Sequence, residues 1–324
     1  MPLTPRLTLI TTGGTIAGQA VSAADTTDYT AGALDPSALI AAVPGLTDLA
    51  QLRVDALLSI DSKDMSPAHW LTLLARVHYH LAQADCDGVV ITHGTDTLEE
   101  TGWFLHLCLP PGKPVVMTAA MRPATALSAD GPMNLYQAIA VAAHTSSTDQ
   151  GVLVVMNGHI FAAADIVKAD TQALGAITAP TRGPLGTAQP VQFYHPIALT
   201  QAGCIPTDAL AGQTELPRVD ILYVAAGSDP DLLSAAVERG AQGIVLALPG
   251  NGSLPENWRR PALAALARGI SVIRSTRVGH GRVAHSTDAA LPAASGELNP
   301  AKARIALMLA LAIGTPELSA RLFA

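Results

Sequence analysis

Short, nearly continuous apolar runs recur along the chain, separated by longer stretches in which apolar residues return every three to four positions. The runs LTLIT (7–11), VDALLSI (54–60), GVVIT (88–92), PVVMTA (114–119) and GVLVVM (151–156) predict strands of a sheet covered on both faces. The stretches between them carry helix signals. Ser66 before Pro67 is a good N-cap and first-turn pair opening PAHWLTLLARVHYHLAQA. The segment DTLEETGWFLHLCL starts at Asp96 with Glu99 three residues on, which predicts a capping box. From Thr181 to Leu216 proline and glycine recur, as in TRGPLGTAQPVQFYHP, which predicts a terminal hairpin and a linker. A second series follows: VDILYVAA (219–226), a helix near SDPDLL, GIVLAL (243–248), ENWRRPALAALARG, ISVIRST (270–276) and a closing helix from Asn299. Such alternation predicts an α/β chain of two α/β domains. The expected division is a larger N-terminal parallel-sheet domain at 1–195, a linker at 196–216 and a smaller C-terminal domain at 217–324.

Composition narrows the function classes. Hydrophobic residues make up 49% and charged residues 14%, enough apolar surface for large cores and too little polarity for disorder. A net charge of −7 and 4% aromatics argue against nucleic acid, which needs clustered cations and stacking platforms. Three separated cysteines (Cys86, Cys108, Cys204) predict small buried side chains, neither a disulfide framework nor a metal pattern. No HExxH or paired His/Cys spacing occurs, so neither a metal nor another cofactor is expected. The start MPLTPRLTLITT lacks a signal-peptide core, and IALMLALAIG (305–314) is half a bilayer span. A cytoplasmic protein without membrane contact is expected, or a periplasmic one if an export signal was trimmed.

Ligands of open α/β sheets gather at the carboxyl ends of strands. Two such ends carry matching content: TTGGTIAG after the first strand and THGTDTLEE after the third. Neither fits G-x-G-x-x-G, and no P-loop or G-x-S-x-G is present, so dinucleotide, nucleotide and serine-elbow chemistry recede. Hydroxyl chemistry remains. Thr15 or Thr95 could attack a carbonyl if a base stood within reach, with backbone N–H groups of the glycine turns binding the oxyanion. Of four lysines, Lys113 sits in a PPGKP turn and Lys302 at a helix start, both expected on the surface. Lys168 follows an apolar stretch in a weakly charged region, where a desolvated amine can serve chemistry. Tyr79, Tyr136 and Tyr223 lie in predicted elements and read as packing residues, whereas Tyr29 sits in a polar, lid-like loop. His93 is expected to pack or orient the second turn.

TGGTIAG and ITHGTDTLEET resemble the two signature segments of the bacterial-type L-asparaginases, the threonine amidohydrolases with type II-like motifs. PVVMTAAMRPATALSADGPMNLYQA, GVLVVMNGHIFAAADIVKADT, GIVLALPGNGSL and SGELNPAKAR extend the resemblance over nearly the whole chain. The resemblance implies an enzyme converting L-asparagine and water to L-aspartate and ammonia through an acyl-threonine. By position, Thr15 matches the nucleophile and Tyr29 the lid tyrosine that hydrogen-bonds it. Thr95, Asp96 and Lys168 match the second catalytic group. Ser62 matches the residue holding the substrate's α-carboxylate, Ala120 one whose carbonyl faces the amide, and Gly14, Gly94, Thr95 and Asp96 belong to the substrate-binding turns. Lys63 stands where the family's best-known members carry glutamine against the α-amino group, so this lysine is expected to turn away or pair with Asp61 or Asp64. The resemblance also implies a homotetramer built from two intimate dimers, each site completed by an acid from a neighbour. The matching loop here, GHGRVAHSTDAALP, is short, and Asp288 is the only candidate drawn from it. Two alternatives stay open on the sequence: a dual glutaminase-asparaginase, and a non-catalytic amino-acid sensor on the same scaffold.

Overall fold

A computed structural model describes residues 4–194, 202–206, 208–288 and 290–323. The expected linker, 196–216, falls partly outside the described residues. The chain divides into two compact units, 1–207 and 208–324.

The first unit is built on an eight-stranded sheet. Its strands are β1 (Arg6–Gly13), β2 (Gln51–Ile60), β3 (Gly88–Thr92), β4 (Val115–Thr118), β5 (Val152–Met156), β6 (His159–Ala162), β7 (Gly186–Ala188) and β8 (Val191–Phe193). Their spatial order is β8-β7-β6-β5-β4-β3-β1-β2. The strands from β5 to β2 are parallel, and β6, β7 and β8 add antiparallel pairings at the far edge. Burial explains the runs read from the sequence. β3, β4 and β5 are buried at every position, as helix-covered parallel strands must be, while the edge strand β2 alternates in exposure.

Three helices flank this sheet near the strand ends of interest: α1 (Pro67–Leu81), α2 (Leu98–Cys108) and α3 (Gly131–Ala143). α1 starts where Ser66 and Pro67 predict, with a capping box whose third-position partner is His69. Its apolar stripe buries Trp70, Leu73, Leu74 and Val77, and Trp70 Nε1 donates to Thr101 on α2 at 3.0 Å. Lys113 lies in its predicted turn and donates to the carbonyls of Leu81 and Gln83 at the C-terminal end of α1. α2 departs from expectation. It begins at Leu98 behind Thr97, with no side-chain cap. The Asp96 carboxylate is taken by an ammonium group instead, a charge-assisted bond stronger than a cap to neutral N–H groups.

The second unit is a four-stranded parallel sheet, β9 (Val219–Tyr223), β10 (Gly243–Leu248), β11 (Ser271–Thr276) and β12 (Ala293–Ala294), in the order β9-β10-β11-β12. Helices α4 (Asp231–Glu238), α5 (Glu256–Ala267) and α6 (Pro300–Ile313) pack on it. Asn299 caps α6 through the Lys302 N–H. Three surface assignments change. Lys302 is buried, because this face of α6 is enclosed along its whole length. Tyr79 and Tyr223 are exposed, Tyr79 on the outer face of α1 and Tyr223 at the end of edge strand β9, where its ring lies under Arg277. Asp288 pairs with Arg259 at 2.8 Å. All three cysteines are free and buried, and burial pushes the Cys108 thiol well up from its ordinary value. No described helix is long and apolar enough to cross a membrane.

Candidate active site

β1 and β3 are parallel neighbours, with Thr11 opposite Thr92, so the turns leaving them emerge side by side. Glycine lets them touch. Gly14 adopts φ 80, ψ −176, a conformation that L side chains avoid, and a Cβ there would overlap the backbone of Gly94. A Cβ on Gly94 would in turn overlap the Ser62 side chain. Gly14, Gly94 and Ser62 are therefore stacked at closest approach. Thr97 ties the stack down by donating from Oγ1 to the Ser62 carbonyl at 2.8 Å.

Thr15 and Thr95 follow these glycines, and both are buried. The Thr15 hydroxyl lies 2.6 Å from the Tyr29 hydroxyl. Tyr29 is placed by a short antiparallel pairing of Gln19–Ala20 with Tyr29–Thr30 and by the Asp25 carboxylate, which accepts the N–H groups of Thr27 and Asp28. Those bonds hold the Asp25 carboxyl below the usual carboxylate range. On the second turn, Lys168 Nζ donates to Thr95 Oγ1 at 2.9 Å and to Asp96 Oδ1 at 2.5 Å. Lys168 is placed by a two-residue pairing with Ile177–Thr178 and by its own N–H, which donates to Glu99 Oε2 at 3.1 Å. Glu99 thus positions the lysine, a role that its spacing from Asp96 concealed.

A cavity of about 600 Å³ opens here. Thr15, Tyr29, Thr95, Asp96 and Lys168 line it, together with Met121 and Arg122 from the loop after β4. Gly14, Gly94, Ser62 and Ala120 are not among the lining residues; they are buried beside it or form the contacts that close its floor. Lys63 is largely exposed and pairs with Asp61 at 2.8 Å, which raises its ammonium above the ordinary lysine value. His93 is fully buried; its Nδ1 donates to the Gly94 carbonyl at 2.7 Å, and desolvation lowers its pKa to about 4. It is neutral near pH 7 and orients the turn. Among the described residues, no cluster of three His, Cys, Asp or Glu could hold a metal ion.

The arrangement offers a buried hydroxyl, a phenol against it, and a second hydroxyl joined to an amine and a carboxylate. Such a set suits attack on a carbonyl carbon with proton transfer at the same step.

Two family models match the chain: "Asparaginase, N-terminal" over residues 6–198 and "Glutaminase/Asparaginase C-terminal domain" over residues 218–322. L-asparaginase 2 of Bacillus subtilis is 42% identical over 311 residues, covering 95% of this chain and 82% of that protein. L-asparaginase 2 of Escherichia coli is 40% identical, covering 95% and 89%. The crystal structure of a probable cytoplasmic L-asparaginase from Campylobacter jejuni superposes with a TM-score of 0.93 at 39% identity, covering 98% of this chain and 99% of that one.

Proposed function

The chain belongs to the type II bacterial-type L-asparaginase family, and from that premise we propose that it hydrolyses L-asparagine to L-aspartate and ammonia through an acyl-enzyme on Thr15. Amidohydrolysis of asparagine follows from membership alone. The route is supported by one observation above others: Thr15 and Thr95 face one cavity, each hydrogen-bonded to a group able to move a proton.

In the proposed route, Thr15 Oγ attacks the side-chain carbonyl carbon while its proton passes to Tyr29. The N–H groups of Thr15 and Thr95 donate to no partner among the described residues and are available to the oxyanion. Collapse expels ammonia, which carries away the proton taken from Thr15. Water then attacks the acyl ester, restoring the Thr15 hydroxyl and releasing aspartate. Lys168 and Asp96 polarise Thr95, which assists the nucleophile or the water. Asp96, half exposed at the cavity rim, receives the substrate ammonium, and Ser62 holds the α-carboxylate. Lys63, held by Asp61, stays out of the amino-group site. Thr15→Val should lower ammonia release by roughly a thousandfold or more. Retention of most of the activity would refute the assignment, and stoichiometric asparagine binding by the wild type without ammonia would favour a sensor.

A dual glutaminase-asparaginase is the second reading, favoured by the C-terminal family match. One methylene is worth about 1–3 kcal/mol of discrimination, so the two amides compared by kcat/KM decide it. We further propose a homotetramer of two intimate dimers; a fully active monomer in light scattering would refute this.

A further inference from the structure

The backbone after β4 forms part of the cavity wall, and its orientation is set from outside the cavity. The Ala119 carbonyl accepts from Asn134 Nδ2 at 3.0 Å. The N–H groups of Met121 and Arg122 donate to the two oxygens of Asp130, each at 2.9 Å. Asn134 Nδ2 also donates to Asp130 Oδ2 at 3.0 Å, and Asn134 Oδ1 accepts the N–H of Asn157 at 3.0 Å. Asp130 stands at the N-cap of α3 yet makes no side-chain capping bond to that helix. An aspartate there ordinarily caps the first turn; this one serves the preceding loop instead. The next residue, Gly131, sits so close that a Cβ would lie 2.9 Å from Ile16 Cγ1 and 3.5 Å from Ala120 Cβ. The start of α3 therefore touches both the Thr15 turn and the Ala120 loop.

In a trans peptide the carbonyl and the following N–H point in opposite directions. Because Asp130 takes the Met121 N–H, the Ala120 carbonyl is directed away from Asp130. Asp130 does not line the cavity, whereas Met121 and Arg122 do. Ala120 is fully buried, and its carbonyl accepts no hydrogen bond from any described residue. A buried acceptor without a donor is rare and calls for one from a ligand.

We propose that Asp130, braced by Asn134, is a positioning residue that aims the Ala120 carbonyl at the NH2 of the substrate's side-chain amide, and so sets a preference for amides over esters. The inference rests on the hydrolysis proposed at Thr15. An amide nitrogen offers this carbonyl an N–H, while an ester's alkoxy oxygen offers only lone pairs.

The test compares L-asparagine with L-aspartate β-methyl ester, following ammonia and methanol release, in the wild type, Asp130→Ala and the isosteric Asp130→Asn. In Asp130→Ala, kcat/KM for the amide should fall about 10- to 100-fold and that for the ester less than about threefold. Asp130→Asn keeps one acceptor, so its amide-to-ester ratio should lie between the two. If Asp130→Ala does not fold, the same comparison is read from Asp130→Asn, with a thermal melt as control. Parallel losses on both substrates, or an unchanged amide rate, overturn the inference while leaving the hydrolase reading intact. A wild type inert toward asparagine overturns both.

Discussion

Adding one methyl group at Gly14 separates the two turns and so tests whether their contact makes the site. Alanine at φ 80, ψ −176 occupies a region open to glycine alone, which costs about 1–3 kcal/mol. The new Cβ would also stand 2.5 Å from Gly94 Cα and 2.8 Å from the His93 carbonyl carbon. Ordinary carbon contacts begin about 1 Å farther out, and here both partners are backbone, so no side chain can rotate aside. The turns must part by about that distance. Misplacement on that scale costs about 100-fold in rate, equivalent to about 2.7 kcal/mol. Strain and overpacking together should lower the stability of the first unit by about 2–4 kcal/mol. Gly158 supplies the control: it lies in the β5–β6 hairpin at φ 81, and nothing stands within 4 Å of where the alanine methyl would sit. Gly158→Ala should lose about 1 kcal/mol of stability and no activity. The assays are ammonia-release kinetics and urea unfolding. A Gly14→Ala enzyme within twofold of wild-type kcat/KM, or one that merely matches Gly158→Ala, would sink the idea that the turns act as a single pocket.

Two further outcomes follow from the electrostatics. His93 titrates at about 4 when folded and 6.5 when unfolded, so between those values the unfolded chain binds more protons and stability falls as pH drops. The loss should reach about 3 kcal/mol by pH 4 and be absent above pH 6.5. Denaturant melts across that window should show a shallower slope in His93→Asn; equal slopes would contradict a neutral, buried imidazole. Lys63→Gln removes a cation close to the ammonium site, but the lysine is 67% exposed and already paired. KM for asparagine should therefore fall only about two- to fivefold with kcat unchanged, and a rise in KM would show that Lys63 assists binding.

Much of the scaffold was legible because its causes are local. Continuous apolar runs mark strands covered on both faces, and Ser66–Pro67 and Asn299 announce their helices through bonds spanning three residues. The paired Gly-Thr turns stood out for the same reason, since a glycine at positive φ beside a hydroxyl is visible in the sequence. Local rules failed where a distant partner outcompeted them. Asp96 leaves its predicted cap for Lys168, 72 residues away. Glu99, read as the other half of that cap, holds the lysine's main chain. Lys302 is enclosed by its surroundings, and Tyr223 is left outside at a sheet edge, neither of which its neighbours in sequence reveal.

The sequence by itself determined which segments become strands and helices, and which turns bear hydroxyls. Tertiary structure decided which groups meet. The parallel register of β1 beside β3 brings Gly14 onto Gly94, and the return of the chain after β6 carries Lys168 to Thr95. Propensity and capping act over a turn or two of chain, whereas a charge finds its partner through space.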